Sequence, residues 1–300
     1  MVWEAHGLGE FRGAVAAVSG VRNESYIVNG DLVARFNTLD PQFAKFRNEQ
    51  IAYELLSGSG LPVPKVVLLD ESRSVVPYDV IVVTRLPGVN VTESWRDLGQ
   101  SQLNELMQEA GRCLAQLHGV TFSAFGKLSA LDNQPFRSWP EYFNDYAQRY
   151  IVAASSKSLI DAALFSRLEA VLDDASDVLD GVTTGVLVHS DFHYENLLQT
   201  DGRLSGVLDF EWALSGDPSY DFITADWRDA VIPEFESTFQ AGYVTVRGFD
   251  DLHQSRLMIY QLFFRLEDAV DHARQADRQG TEFALDAMTS LLAMAESSGR

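Results

Sequence analysis

One cysteine, Cys113, is all that 300 residues provide, so neither a disulfide framework nor a cysteine-based zinc site is available. It falls on an amphipathic stretch and reads as a buried, inert thiol. Basic residues are also scarce, 23 Lys and Arg against 43 Asp and Glu for a net charge of -20, which excludes a surface built to displace counterions from a nucleic acid backbone. No apolar run approaches the roughly 18 residues that cross a bilayer. The opening "MVWEAHGLGE" carries acids where a signal peptide carries bases, so the expectation is a cytoplasmic protein with no membrane partner.

The acidity is uneven. Residues 1–87 hold 8 Lys and Arg against 10 Asp and Glu, and the remainder holds 15 against 33. Such an excess either solubilises acidic helices or attracts a cationic small molecule. With 46% hydrophobic residues the chain can bury a large core, and its length suits two lobes.

The first lobe, residues 1–87, reads as β-rich. "FRGAVAAVSG" and "ESYIVNGDLVARFN" suggest strands, with "NGD" a hairpin signal, and "VPKVVLLD" and "DVIVVTRLPG" suggest two more. Between them "DPQFAKFRNEQIAYELL" predicts a helix with Asp40 as N-cap and Pro41 at its first position. After Gly88 the apolar period lengthens. Leu103, Leu106, Ala110, Leu114 and Leu117 mark a helix, and further helical patterns cover about 138–151, 160–179, 219–243, 250–275 and 280–296. The expected fold is α+β: an antiparallel sheet of about five strands with one helix, then a mainly helical lobe over residues 88–300.

One segment interrupts those helices. "VLVHSDFHYENLLQTDGRLSGVLDFEWA", residues 186–213, reads as an apolar strand, a polar loop and a hairpin turning at Asp201-Gly202. A two-residue turn there pairs Thr200 with Arg203, Gln199 with Leu204 and Asn196 with Val207. Asn196 and Asp209 then converge on one end of the ribbon, where an amide and a carboxylate oxygen suit a hard cation such as Mg²⁺. Asp191, on the loop leaving the strand, is placed to accept or orient a hydroxyl proton. His189 reads as a loop brace, and His193 alone does not make a zinc site. Taken singly, each acid or amide is an ordinary turn residue; taken together they favour a site.

"HSDFHYEN" followed by "LDFEWA" resembles the catalytic and metal-binding segments of the aminoglycoside phosphotransferase and choline kinase family, relatives of the protein kinases, and "GDPSYDF" at 216–222 resembles that family's segment after the metal Asp. The resemblance implies a two-lobed protein-kinase-like fold and a kinase that uses Mg²⁺ and moves the γ-phosphoryl group of ATP or GTP to a small-molecule hydroxyl. By it Asp191 is the base or hydroxyl-orienting residue, and Asn196 and Asp209 hold the metal. Asp221 braces the catalytic loop, and Asp217 either approaches the acceptor or caps a helix. Ser190 departs from the glycine usual between the family's His and Asp.

Glu49 shares a helix face with Phe46 and Tyr53, an expensive place for a carboxylate without a cation, and Arg35 on the preceding strand is the candidate partner. The resemblance gives that pair to the nucleotide's α and β phosphates, with Arg standing where protein kinases have Lys. It also places Ser25, in "SGVRNESY", at the turn over the phosphates, and Val83, Thr84 and Leu86 at the hinge that meets the base. Candidate acceptor carboxylates are Glu211, Asp217, Asp226, Glu267 and Asp268. An aminoglycoside-type cation is the first acceptor. Choline or ethanolamine, held by Trp212, Tyr220 and Trp227, is the close rival, followed by macrolides or sugars. A catalytically silent kinase-like module that binds a nucleotide or partner is the alternative of another class. A monomer is expected.

Overall fold

The computed structural model describes residues 2–17, 23–38, 45–225 and 230–298. Five antiparallel strands form the first sheet: β1 (Ala14–Ala16), β2 (Glu24–Val28), β3 (Leu32–Phe36), β4 (Val66–Asp70) and β5 (Val80–Thr84), in the order β1-β2-β3-β5-β4. The β2–β3 turn places Asn29 and Gly30 at φ 56° and 89°, the left-handed values that "NGD" supplies at little steric cost. A short helix, α1 (Val2–Ala5), carries Trp3 into a small core on the sheet's outer face with Val28, Ala34, Val80 and Val82. Helix α2 (Lys45–Leu55) covers the inner face. Its expected start at Asp40 and Pro41 lies outside the described residues.

A second, three-stranded sheet begins where the chain leaves β5. Strand β6 (Val89–Asn90) runs into α3 (Val91–Ser94) and pairs with the hairpin of β10 (Leu197–Thr200) and β11 (Arg203–Val207). A four-stranded sheet beneath it is ordered β7 (Thr121–Phe122), β9 (Gly185–Val188), β12 (Leu214–Gly216), β8 (Gly126–Lys127). Strands β7 and β8 are two residues long, too short to show alternation, so the sequence reading passes over them.

Helices make up the rest: α4 (Gln100–Leu117), α5 (Trp139–Ser156), α6 (Ala162–Asp174), α7 (Ser176–Leu179), α8 (Phe235–Val244), α9 (His253–Arg274) and α10 (Arg278–Ser298). The pattern expected from 160 to 179 is broken into α6 and α7 at Ala175, and the pattern from 219 begins as a 3-10 turn, Pro218–Phe222. Two glycines let α4 and α8 cross closely. A Cβ on Gly111 would lie 2.0 Å from the Phe239 carbonyl oxygen, and one on Gly242 would lie 2.1 Å from that of Gln108. One apolar core is continuous from Phe46, Tyr53 and Ile81 beside the first sheet through Leu114, Trp139 and Phe210 to Phe263 and Met288. No described helix is long and apolar enough to cross a membrane.

The hairpin register departs from expectation by one residue. Thr200 pairs with Arg203 and Gln199 with Leu204 as the turn predicts, but Leu198 then meets Gly206 and Leu197 meets Val207. Ser205 is the extra residue of a β-bulge, its hydroxyl donating 2.8 Å to the Pro87 carbonyl in the linker from the first sheet. Asn196, expected opposite Val207, instead closes the 3-10 turn Tyr194–Asn196. It stays beside Asp209 because its carbonyl accepts the Leu208 N–H at 2.9 Å.

Candidate active site

Strand β9, "GVLV", is buried along its whole length and delivers His189, Ser190 and Asp191 to the cleft. The loop is fixed from behind by Asp221, which accepts the backbone N–H of His189 at 2.9 Å, that of Ser190 at 2.7 Å and His118 Nε2–H at 2.9 Å. His118 is held in turn by the Tyr243 hydroxyl at 2.8 Å. His189 ties two loops together, its Nε2–H donating to the Leu208 carbonyl at 2.9 Å and its Nδ1 accepting the Asp191 N–H at 3.2 Å. That tautomer is neutral, and burial lowers the ring's pKa in the same sense.

Asp191 is one-third exposed, so its carboxylate reaches the cleft. Asn196 Nδ2 donates to its carbonyl at 2.8 Å and to Oδ2 at 2.9 Å, while His193 Nε2 lies 3.0 Å from Oδ1. Burial works to raise its pKa, yet His193 and Asn196 outweigh burial and hold it below the ordinary carboxylate value. The group is therefore ionised at neutral pH and able to accept a proton.

Because the Asn196 nitrogen is committed to Asp191, the other end of that amide is an oxygen acceptor. Asp209 stands at φ 66°, a left-handed value that Asp tolerates better than most residues, with its side chain 29% exposed. Amide and carboxylate oxygens of this kind are the donor set of a hard divalent cation.

Arg35 bridges the two sheets. Its Nη1 donates to both oxygens of Glu49 at 2.6 and 2.7 Å, and its Nη2 donates to Asp209 Oδ1 at 3.1 Å. Tyr53 donates to Glu49 at 2.7 Å. Burial acts to lower the Arg35 pKa, and Glu49, Asp209 and Glu211 together drive it well above its usual value. Burial pushes the Glu49 carboxyl up to about 7, against the pull of Arg35. Ser25, expected at a turn, lies within β2 directly across the ladder from Arg35, and residues 19–22 of that expected turn lie outside the described residues.

At the hinge, the Thr84 N–H donates to the Lys65 carbonyl and the Thr84 hydroxyl accepts the Lys65 N–H, both at 2.9 Å. Val83 pairs with both neighbouring strands, and the Arg85 N–H is taken by Asp31. The Leu86 N–H, alone among the three expected hinge positions, has no backbone acceptor among the described residues.

The five expected acceptor carboxylates do not share one pocket. Glu211 is 3% exposed and belongs to the Arg35 cluster, with Lys45 Nζ at 3.3 Å, Asn23 Nδ2 at 3.2 Å and Arg35 at 3.6 Å. Asp217 is fully buried: it accepts from Arg256 Nε and the Tyr260 hydroxyl at 2.6 Å, and caps the 3-10 turn through the Ser219 N–H at 2.9 Å. Of its two expected places the structure gives it the cap. Asp268 pairs with Arg265 and His272 along α9, and Asp226 lies outside the described residues. Glu267 accepts the Tyr146 hydroxyl at 2.6 Å and the Tyr150 hydroxyl at 2.5 Å, and burial raises its pKa against both phenols.

The sequence reading misses Asn23, Lys45, His118, Lys127, Tyr146 and Tyr150. Lys45 alone carries a local signal, standing one turn before Glu49 on the same helix face.

A family model of the phosphotransferase enzyme family matches residues 14–258. Hygromycin-B 4-O-kinase of Escherichia coli is 23% identical over 181 residues, 59% of this chain and 50% of that protein. Acyl-CoA dehydrogenase family member 10 of Mus musculus is 23% identical over 239 residues, 76% of this chain and 20% of that protein. The chain thus spans half or less of the curated relatives it matches. The solved ternary complex of APH(2")-IIa with streptomycin and ATP superposes with a TM-score of 0.72 at 17% identity, over 96% of this chain and 95% of that one. That likeness shows the two-lobed kinase-like fold, an antiparallel sheet lobe above a helical lobe. Since the family model extends over most of the residues from β1 to α9, this chain belongs to the phosphotransferase enzyme family.

Proposed function

We propose that the chain moves the γ-phosphoryl group of ATP or GTP to a hydroxyl of a small-molecule acceptor, with residues 1–87 receiving the nucleotide and residues 88–300 the acceptor. The observation that carries this reading is Asp191: a partly exposed carboxylate, kept ionised by His193 and Asn196, on the loop that Asp221 holds rigid. It would accept the acceptor's hydroxyl proton, or orient that hydroxyl, as the oxygen attacks phosphorus.

Asn196 and Asp209 would hold magnesium, whose chemistry is to neutralise charge on the transferring phosphoryl group. Arg35, kept extended by Glu49, would meet the α and β phosphates, and the fork of an arginine can engage two phosphate oxygens at once. Ser25 is placed beside it, and Leu86 is the hinge position that supports a base contact. Glu211 belongs with this phosphate end rather than with the acceptor. Of the acceptor candidates Glu267 has the best support, as a carboxylate held open-faced by two phenols. Amine-bearing alcohols of the kind named in the similar proteins are the first class to test.

The test is Asp191→Ala, assayed by nucleoside diphosphate release across an acceptor panel and by magnesium–nucleotide binding. Turnover should fall by about 10²–10⁴ with nucleotide affinity unchanged. A variant that turns over like the wild type would refute the proposal, and a wild-type chain that binds nucleotide but phosphorylates nothing would favour the silent module.

A further inference from the structure

Lys127 ends β8, where it pairs with Leu214, two residues past Trp212. Its ammonium lies 4.5 Å from the centroid of the Trp212 ring, and no carboxylate of the described residues approaches within ion-pair distance. The charges it feels from further off are mixed: Glu267 and Glu211 favour its charged form, whereas burial and the nearby Arg149 disfavour it. A half-buried ammonium whose one contact among the described residues is a ring face, with carboxylates only further off, is under-compensated, and an anion is the partner that would complete it.

The same contact bears on what cannot bind there, at two of the three rings expected to hold choline; Trp227, the third, lies outside the described residues. A quaternary ammonium is recognised by open aromatic faces. Tyr220 offers none, being 5% exposed and walled in by the rings of Trp139, Tyr146 and Tyr260. Trp212 has a face, but the chain's own cation stands on it. Glu267, whose charge Lys127 feels, has accepted one phenol on each carboxylate oxygen, which leaves lone pairs for a further donor.

We infer that Lys127 determines acceptor specificity: the alcohol phosphorylated by this chain carries an anionic group, met by Lys127 beside Trp212, together with an amine or second hydroxyl met by Glu267. This rests on the phosphotransferase reading and narrows it, turning the site away from choline-like acceptors and from polycations lacking an acid.

The experiment compares wild type, Lys127→Met and Lys127→Arg, each first checked for a cooperative melt, on three probes: a panel of small hydroxylated carboxylates and hydroxylated amino acids, choline, and hygromycin B. Binding is measured with a non-hydrolysable magnesium–nucleotide complex in place, and turnover by diphosphate release. For wild type an acid-bearing alcohol should give a KM at least about tenfold below that of choline, and Lys127→Met should erase that advantage chiefly through KM, with kcat little changed. Lys127→Met should also gain choline binding, while Lys127→Arg keeps the wild-type order. Wild type preferring choline or hygromycin B overturns the inference and leaves the phosphotransferase reading standing. So does an unchanged preference in Lys127→Met, or failure of every acid-bearing probe to bind. A chain that binds no nucleotide and phosphorylates no probe sinks both.

Discussion

Two charged regions of this chain are built on different principles. Around Arg35, the proposed phosphate end, the buried charges stand against counter-charges, Arg35 hydrogen-bonded to Glu49 and Asp209, and Lys45 Nζ 3.3 Å from Glu211. Around Glu267 and Lys127, the proposed acceptor side, the charges are held by neutral groups, Glu267 by two phenols and Lys127 by an indole face. Paired charges fix geometry and are expensive to break, which suits a region that must hold one reactive arrangement for any acceptor. Neutral cages leave charge uncompensated and ready for a ligand, which suits the region that discriminates between acceptors.

Breaking the tightest pair should have the largest effect on stability. Arg35→Met leaves Glu49, 1% exposed, and Glu211, 3% exposed, without their shared cation. Loss of one partner from a buried ion pair costs about 3–5 kcal/mol, read from urea unfolding at neutral pH. The loss should shrink on acidification, because carboxyls stripped of Arg35 take up protons more readily. Glu267→Gln keeps the shape and one acceptor oxygen, so only one phenol loses its partner and the cost should be about 1–2 kcal/mol. Equal losses in the two variants would mean that the acceptor side is as tightly compensated as the phosphate end.

The same division decides what could be read from the letters alone. Asp191, Asn196 and Asp209 lie in one strand-loop-hairpin segment, so chain connectivity by itself brings them near one another, and the pair Arg35 and Glu49 follows from a carboxylate on an apolar helix face. The register of that hairpin was not local. Its bulge is set by Ser205 reaching a carbonyl 118 residues away, and no turn rule contains Pro87. Asp217 carries the same letters as cap or as ligand, and Arg256 on a distant helix settles which. The Glu267 cage is hidden further still, since Tyr146 and Tyr150 come from α5, 121 and 117 positions away, and look like any core aromatics in sequence.

A pH series separates the two regions more finely. Burial raises the carboxyls of both Glu49 and Glu267 above their ordinary value of 4.5, Glu49 to about 7. Above 4.5 the folded chain therefore binds protons that the unfolded chain has released, so their contribution to stability is full below that pH and is lost as pH rises through the raised values. Urea midpoints should fall across that window. Glu49→Gln should flatten the portion reaching to about 7, and Glu267→Gln the portion that its own raised carboxyl contributes, while leaving nucleotide affinity untouched. A wild-type profile that rises over this range would mean that Arg35 and the two phenols hold both carboxylates in the charged form against burial.

The smallest effect expected is a gain, and it lies on the loop between the two regions. Ser190 occupies φ 69°, and its hydroxyl is buried without a partner among the described residues. The left-handed conformation costs a non-glycine residue about 1–2 kcal/mol. Glycine would remove that strain and the unsatisfied hydroxyl, offset by its greater freedom in the unfolded chain, about 0.5–1 kcal/mol. The Ser190 N–H bond to Asp221 at 2.7 Å is backbone and survives the change. Ser190→Gly should therefore stabilise the chain by about 1 kcal/mol, raising the melting temperature by about 2 °C. Turnover should be unchanged, because Asp221 and His189, not the serine side chain, position Asp191. If Ser190→Gly melts later but loses turnover, the hydroxyl contacts a bound ligand and the phosphate end extends one residue further along the loop than its ion pairs reveal.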